Sequence, residues 1–149
     1  MTRPIRIVCL SDTHSTHDSL EVPDGDLLLH AGDFTKRGKP VEVERFGAWL
    51  ATLPHPTKVL VPGNHDFLCE REPERAKGLL GDVILLDGTT DVVEACGLRV
   101  WGSPLQPWFH DWAFNRERGP ELAAHWASAP APLDVLVTHT PPLGRLDRT

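Results

Sequence analysis

Cysteine is scarce in this chain: Cys9, Cys69 and Cys96 are odd in number and carry no C-x-x-C spacing. That excludes a disulfide framework and predicts reduced, mostly buried thiols of a cytosolic protein. No apolar run reaches membrane-spanning length, and Met1-Thr2-Arg3-Pro4 leads straight into a short strand without a signal-type apolar region. A soluble, cytoplasmic protein with no membrane partner is the expectation. Basic residues are outnumbered 15 to 21, for a net charge of -6. A broad basic face for extended nucleic acid is thereby excluded. A small phosphate ester remains compatible if metal cations supply positive charge locally. Tyrosine, internal repeats and low-complexity tracts are absent too, and 149 residues make one domain, 1–149.

What the chain does have is a series of short apolar runs, each stopped by Gly, Pro or a polar group. Fourteen Pro and twelve Gly punctuate them, which predicts many short elements with sharp turns. Ile5 to Leu10 and Asp26 to His30 read as strands covered on both faces. Val43, Phe46, Leu50 and Leu53 recur at three- and four-residue spacing, predicting an amphipathic helix over 40–52 with Pro near its start. Lys58 to Val61 is the next strand, so strand-helix-strand implies a right-handed parallel crossover. A short charged helix is predicted over 70–80 and a strand over 83–86. Val92 to Ala95 and Leu98 to Trp101 flank Cys96-Gly97 as a tight hairpin. Residues 103–118 form a long aromatic loop without structure of its own, a feature usually functional. A helix over 120–128 and a strand over 133–138 complete an α/β domain.

The strands end alike. Asp12 and His14, Asp33, Asn64 and His65, and His139 each follow an apolar run. Ligands and catalytic groups sit at such carboxyl ends of strands in open α/β sheets. Each group alone has an ordinary explanation, a turn-forming Asp or a core His. Gly63-Asn64-His65-Asp66 is stronger, because three consecutive functional groups leaving a buried strand have no packing rationale. Carboxylate, imidazole and amide oxygen together suit Mn, Fe, Co, Ni or Zn. A bridging carboxylate can hold two such ions, which clamp both oxygens of a displacement at phosphorus.

Asp12-Thr13-His14, Gly32-Asp33, Gly63-Asn64-His65-Asp66 and Thr138-His139 resemble four motifs of the calcineurin-like metallophosphoesterase superfamily. His30-Ala31-Gly32-Asp33-Phe34-Thr35, Trp101-Gly102-Ser103-Pro104 and Asp111-Trp112-Ala113-Phe114-Asn115 are similar to its metallophosphoesterase-domain subfamily, whose members act on cyclic nucleotides and related phosphodiesters. The resemblance implies a sandwich of two mixed sheets flanked by helices. It implies two divalent metal ions, Mn favoured, with Asp12 and His14 on the first, Asp33 bridging, and Asn64 and His139 on the second. His65 would protonate the leaving oxygen, with Asp66 as the partner that sets its tautomer, and a hydroxide generated on the cations would attack. The implied function is hydrolysis of phosphodiesters such as cyclic nucleotides.

In one respect the chain departs from the pattern. The superfamily's Gly-His-x-His motif, which should follow His139 by several tens of residues, is absent, so the fold is expected to be C-terminally incomplete. That leaves a second reading, a catalytically impaired metal- or nucleotide-binding remnant. It also predicts self-association through an unfinished sheet. His110 and His125 follow no strand and match no motif. His17 is expected to be a solvated side chain, His30 buried and hydrogen-bonded, and Glu70 to Glu74 a solvated helix face. The rings of Trp108, Phe109, Trp112 and Phe114 either cover a sheet edge or stack a nucleobase.

Overall fold

The computed structural model describes residues 3–89, 91–142 and 144–147. Strands β1 (Ile7–Leu10), β2 (Leu27–His30), β3 (Thr57–Leu60) and β4 (Ile84–Leu85) lie side by side in that order, all parallel. A second sheet has the order β5 (Val93–Ala95), β6 (Leu98–Ser103), β9 (Val135–Thr138), with β5 antiparallel and β9 parallel to β6. Two short strands, β7 (Gln106–Pro107) and β8 (Asn115–Arg116), pair between them in sequence. The two-sheet α/β fold expected from the sequence is the fold observed.

Side-chain alternation builds the layers. Leu28 and Leu60 point to one face of the parallel sheet and pack with Val43, Phe46 and Leu50 of helix α1 (Pro40–Thr52). Leu27, Leu29, Val59 and Val61 point to the other face and meet Val100 and Val137 of the second sheet. Burying each such side chain is worth roughly 1.5–3 kcal/mol, so these two apolar layers set the spacing of everything else. Trp101 faces away from Val100 and meets His125 and Trp126 of helix α4 (Pro120–Ala127). The stack is therefore helix, sheet, sheet, helix.

Several sequence expectations are corrected here. The charged helix is two: α2 (Phe67–Arg71) and α3 (Pro73–Leu80) break at Glu72, because Pro73 has no N–H to continue the first and starts the second. β1 is covered on one face only. Ile7 and Cys9 align with Leu27 and Leu29 but are exposed, since the second sheet does not extend over this edge strand. Of the three thiols only Cys69 is buried. His17 is fully buried against Phe46 and Trp49 rather than solvated. The hairpin at Cys96-Gly97 is as expected, both residues having positive φ (54° and 79°), the primed-turn geometry that follows strand twist. Among the described residues the outer edge of β9 carries no strand, and Leu136 there is exposed. No described helix is long and apolar enough to cross a membrane.

Candidate metal centre

Because β1, β2 and β3 are parallel and adjacent, the loops that follow them emerge at one edge of the sheet. β9 ends there as well, with His139 bonded to Ala31 just past β2. The loops are tied to one another. Asp12 N–H donates to the Gly32 carbonyl and His14 N–H to the Asp33 carbonyl, both at 2.9 Å. Gly32 and Gly63 permit this approach. A Cβ on Gly32 would lie 2.6 Å from His139 Nδ1, and one on Gly63 would lie 2.3 Å from Asp33 N. Four non-glycine residues here, Asp12, His14, Ser15 and Asp33, have positive φ between 40° and 59°. Such strain costs of order 1–3 kcal/mol per residue and gathers at functional sites.

The side chains converge on Asp33, which is almost wholly buried. Its Oδ2 lies 3.5 Å from His14 Nε2 and 3.8 Å from His65 Nε2, and its Oδ1 lies 3.4 Å from His139 Nε2. Asp12 Oδ1 is 3.9 Å from His14 Nε2. His14, Asp33 and His65 form one donor set and Asp12, Asp33 and His139 another, each with its donor atoms within 4.8 Å of one another. Asn64 Oδ1 lies 3.0 Å from His139 Nε2. Every metal-site residue expected from the sequence is therefore in this one cluster.

The rings are turned for coordination. His14 Nδ1 lies 3.2 Å from the Thr35 carbonyl, His65 Nδ1 2.7 Å from the Lys36 carbonyl, and His139 Nδ1 2.8 Å from the Ala31 carbonyl. A carbonyl only accepts, so each Nδ1 carries the proton and each Nε2 presents a lone pair to the cluster. This is the second-sphere arrangement of metal-ligating histidines. It leaves His139 Nε2 and Asn64 Oδ1, two acceptors, facing each other at 3.0 Å. A proton, or a half-turn of the Asn64 amide, would reconcile that pair alone. A cation would satisfy it together with the Asp12 and Asp33 carboxylates. Donors about 2.1 Å from one ion lie roughly 3.0–4.2 Å apart, and the separations above fall in that range. The donor set fits divalent cations.

Asp66 has a different place from the one the sequence suggested. It is fully buried, and its carboxylate accepts from Gly63 N–H (2.7 Å), Asp33 N–H (2.8 Å), Thr35 N–H (2.9 Å) and the Thr35 hydroxyl (2.7 Å). With all its capacity used there, it does not partner His65, whose tautomer is set by the Lys36 carbonyl. Burial pushes the Asp66 carboxyl up to about 6, while the bonds from Gly63 and Thr35 pull it down. The group thus buckles the loop after β2 to the loop after β3.

Of the other histidines, none joins either donor set. His125 Nε2 is engaged by Ser103 Oγ at 2.8 Å, and His110 is exposed in the aromatic segment. His30 is buried as expected. Gly32 N–H donates to its Nδ1 (3.3 Å), so Nε2–H meets Thr13 Oγ1 (3.2 Å). Burial holds its pKa down at about 3.

The sign of the resulting pH dependence is fixed. Unfolded His30 takes up a proton below about 6.5, and the folded state does so only near 3. Stability from this residue is full above pH 6.5 and is lost as pH falls. The unfolding free energy of metal-free protein minus that of His30→Gln should shrink by about 1.7 kcal/mol between pH 6.5 and 5. Urea titrations at the two pH values measure it, and equal differences would contradict the assignment. Taking the difference removes the opposite slope of Asp66, which binds its proton more tightly when folded.

Two features were not read from the sequence. The Thr35, Lys36 and Ala31 carbonyls that orient the imidazoles are backbone groups and leave no residue-type signal. Trp112 packs on His65 with ring centroids 4.0 Å apart, whereas the sequence only placed it in an aromatic run. That run is not structureless, since Asn115 and the β7–β8 pair fold it.

Comparison with known proteins agrees with this geometry. Metallophosphoesterase domain-containing protein 1 of Homo sapiens is 40% identical over 165 residues, covering 95% of this chain and 50% of that protein. A UPF0046 protein of Caenorhabditis elegans is 39% identical over 158 residues, covering 96% of this chain and 56% of its own length. The chain spans about half the length of the curated relatives it matches. Residues 5–148 match the family described as Calcineurin-like phosphoesterase, whose members generally bind divalent metal ions. By its strand-end donors, its two sheets and this match over nearly all its residues, the chain belongs to the calcineurin-like phosphoesterase family.

Proposed function

We propose that this chain hydrolyses phosphodiesters at two divalent cations, Mn²⁺ foremost, held on either side of Asp33. The observation that carries the reading is the common orientation of His14, His65 and His139, each with Nδ1–H on a backbone carbonyl and Nε2 toward the carboxylates. When bound, such cations neutralise charge on the phosphoryl oxygens and lower the pKa of water. Asp12, His14, Asp33, Asn64 and His139 hold them. His65 is the acid. Its ring is partly exposed beside Asp33, so an additional proton at Nε2 can pass to the departing oxygen, while the Lys36 carbonyl keeps the ring from turning away. Asp66 contributes by holding the two loops together.

A diester brings an organic group on each side of phosphorus, and the molecule has room for one. A cleft of about 880 Å³ opens beside Asn64 and Thr138, walled by Trp108, Phe109, Trp126 and Leu136. The exposed Trp108 and Phe109 rings can stack a base, a contact worth roughly 1–3 kcal/mol. This supports a cyclic nucleotide as substrate. Hydrolysis of bis(4-nitrophenyl) phosphate and of a purine cyclic nucleotide in excess Mn²⁺ tests the reading. Metal-dependent release of the alcohol supports it. Failure of turnover with less than one metal bound would sink it, whereas a melting temperature raised by Mn²⁺ without turnover would favour the binding-only remnant.

A further inference from the structure

The segment between β6 and α4 is built as a strap across the metal-site loop. Asn115 folds it on itself: Oδ1 accepts from Gln106 Nε2 (3.2 Å), and Nδ2 donates to the His110 carbonyl (2.7 Å). Two bonds donated by its backbone N–H groups then fasten it. Ala113 N–H donates to the Asn64 carbonyl (3.1 Å), and Phe114 N–H donates to Glu70 Oε1 (2.8 Å). Ala113 and Phe114 are buried in the helix-side core, so the fastening is packed as well as bonded.

Next to these anchors lies Trp112. Its ring covers that of His65, centroids 4.0 Å apart and planes at 42°, and Phe67 stacks on Trp112 with centroids 6.2 Å apart. The ring of His14 meets His65 edge-on at 4.7 Å and 83°. The Lys36 carbonyl bonds Nδ1 and so sets the tautomer and coarse orientation of the ring, while one bond still lets it rock about its side-chain torsions. Rings on two further sides restrict that rocking, because aromatic contacts depend on relative orientation.

We propose that Trp112 is a positioning residue that fixes the His65 imidazole with Nε2 aimed at Asp33. Asn64 and His65 are adjacent, so the strap that anchors the Asn64 backbone also delivers the indole to the neighbouring ring. Proton delivery depends on this placement, and misplacement by about 1 Å can cost a hundredfold in rate. The catalytic consequence rests on His65 as the acid; the positioning itself does not.

Ring nuclear magnetic resonance of the metal-free protein separates the two. In the wild type, the His65 ring should show one Nδ1–H tautomer, ring protons shifted by the indole, and cross-relaxation with Trp112. Trp112→Leu, which fills space without a π face, should lose the shift and broaden the His65 ring signals as the ring rocks, while the Nδ1–H tautomer stays with the Lys36 carbonyl; Trp112→Phe should restore most of the shift and the sharp lines. With Mn²⁺ and bis(4-nitrophenyl) phosphate, Trp112→Leu should lower kcat roughly ten- to a hundredfold, with KM and metal stoichiometry unchanged, and Trp112→Phe should recover it. A His65 ring that already rocks freely in the wild type, with no cross-relaxation to Trp112, overturns the proposal and needs no variant to fold. So does a Trp112→Leu protein with unaltered His65 signals. An inactive wild type with an ordered His65 ring would instead refute the hydrolytic reading and leave the positioning role standing.

Discussion

Asp33→Asn should remove both donor sets at once while leaving the fold in place. Asp33 is the one residue common to the His14-containing and the His139-containing sets. Asparagine retains an oxygen to accept the His65 N–H now bonded to Asp33 Oδ1 at 2.8 Å, but it lacks the charge that two cations would share. Losing an outer partner costs roughly 10–100-fold in metal affinity, and loss of a shared inner ligand should exceed that. Asp12→Ala, by contrast, touches one set and should delete one equivalent. Equilibrium dialysis with Mn²⁺ distinguishes the variants. Two equivalents bound by Asp33→Asn at wild-type affinity would break the assignment of Asp33 as the bridge.

Asp66→Ala is expected to be the most destabilising single change near the site. It orphans the buried N–H groups of Gly63, Asp33 and Thr35, while the Thr35 hydroxyl keeps the His65 carbonyl as acceptor. Unsatisfied buried donors cost about 1–3 kcal/mol each and are not fully additive, so three of them imply a loss of roughly 3–5 kcal/mol in unfolding free energy. Asp66→Asn should cost less, because one oxygen survives to take part of the load. Metal affinity should fall about 10–100-fold in either variant, since the Asp33 and Asn64 loops separate. Urea unfolding with a chelator present isolates the structural part. A change below about 1 kcal/mol for Asp66→Ala would show that the buckle is dispensable.

The contrast between Asp33 and Asp66 marks the boundary of what the residues alone could tell. Both follow glycine-rich strand ends, and both are carboxylates in a motif. Residue type and spacing predict that such groups converge, and Asp12, His14, Asp33, Asn64, His65 and His139 do converge. They cannot say which carboxylate faces the open side and which turns back to gather backbone N–H groups. That depends on the positive φ of Asp33 and on glycines at 32 and 63 letting the loops interlock. The α1 helix was legible because Val43, Phe46 and Leu50 repeat at helical spacing and proline stands at each end. The break at Glu72 was harder to see, since charged residues on both sides of Pro73 keep one polar pattern across two helices. The burial of His17 left no trace at all, because its neighbours Phe46 and Trp49 arrive from a helix more than twenty residues away.

The central claim is that ions sit between these side chains, and crystals grown with Mn²⁺ test it most directly through anomalous diffraction at the manganese edge. Two peaks are predicted, roughly 3.5–4 Å apart, one contacting His14 and Asp33 and the other contacting Asp33, Asn64 and His139. A map at saturating Mn²⁺ with no peak in reach of either Asp33 oxygen would contradict the account.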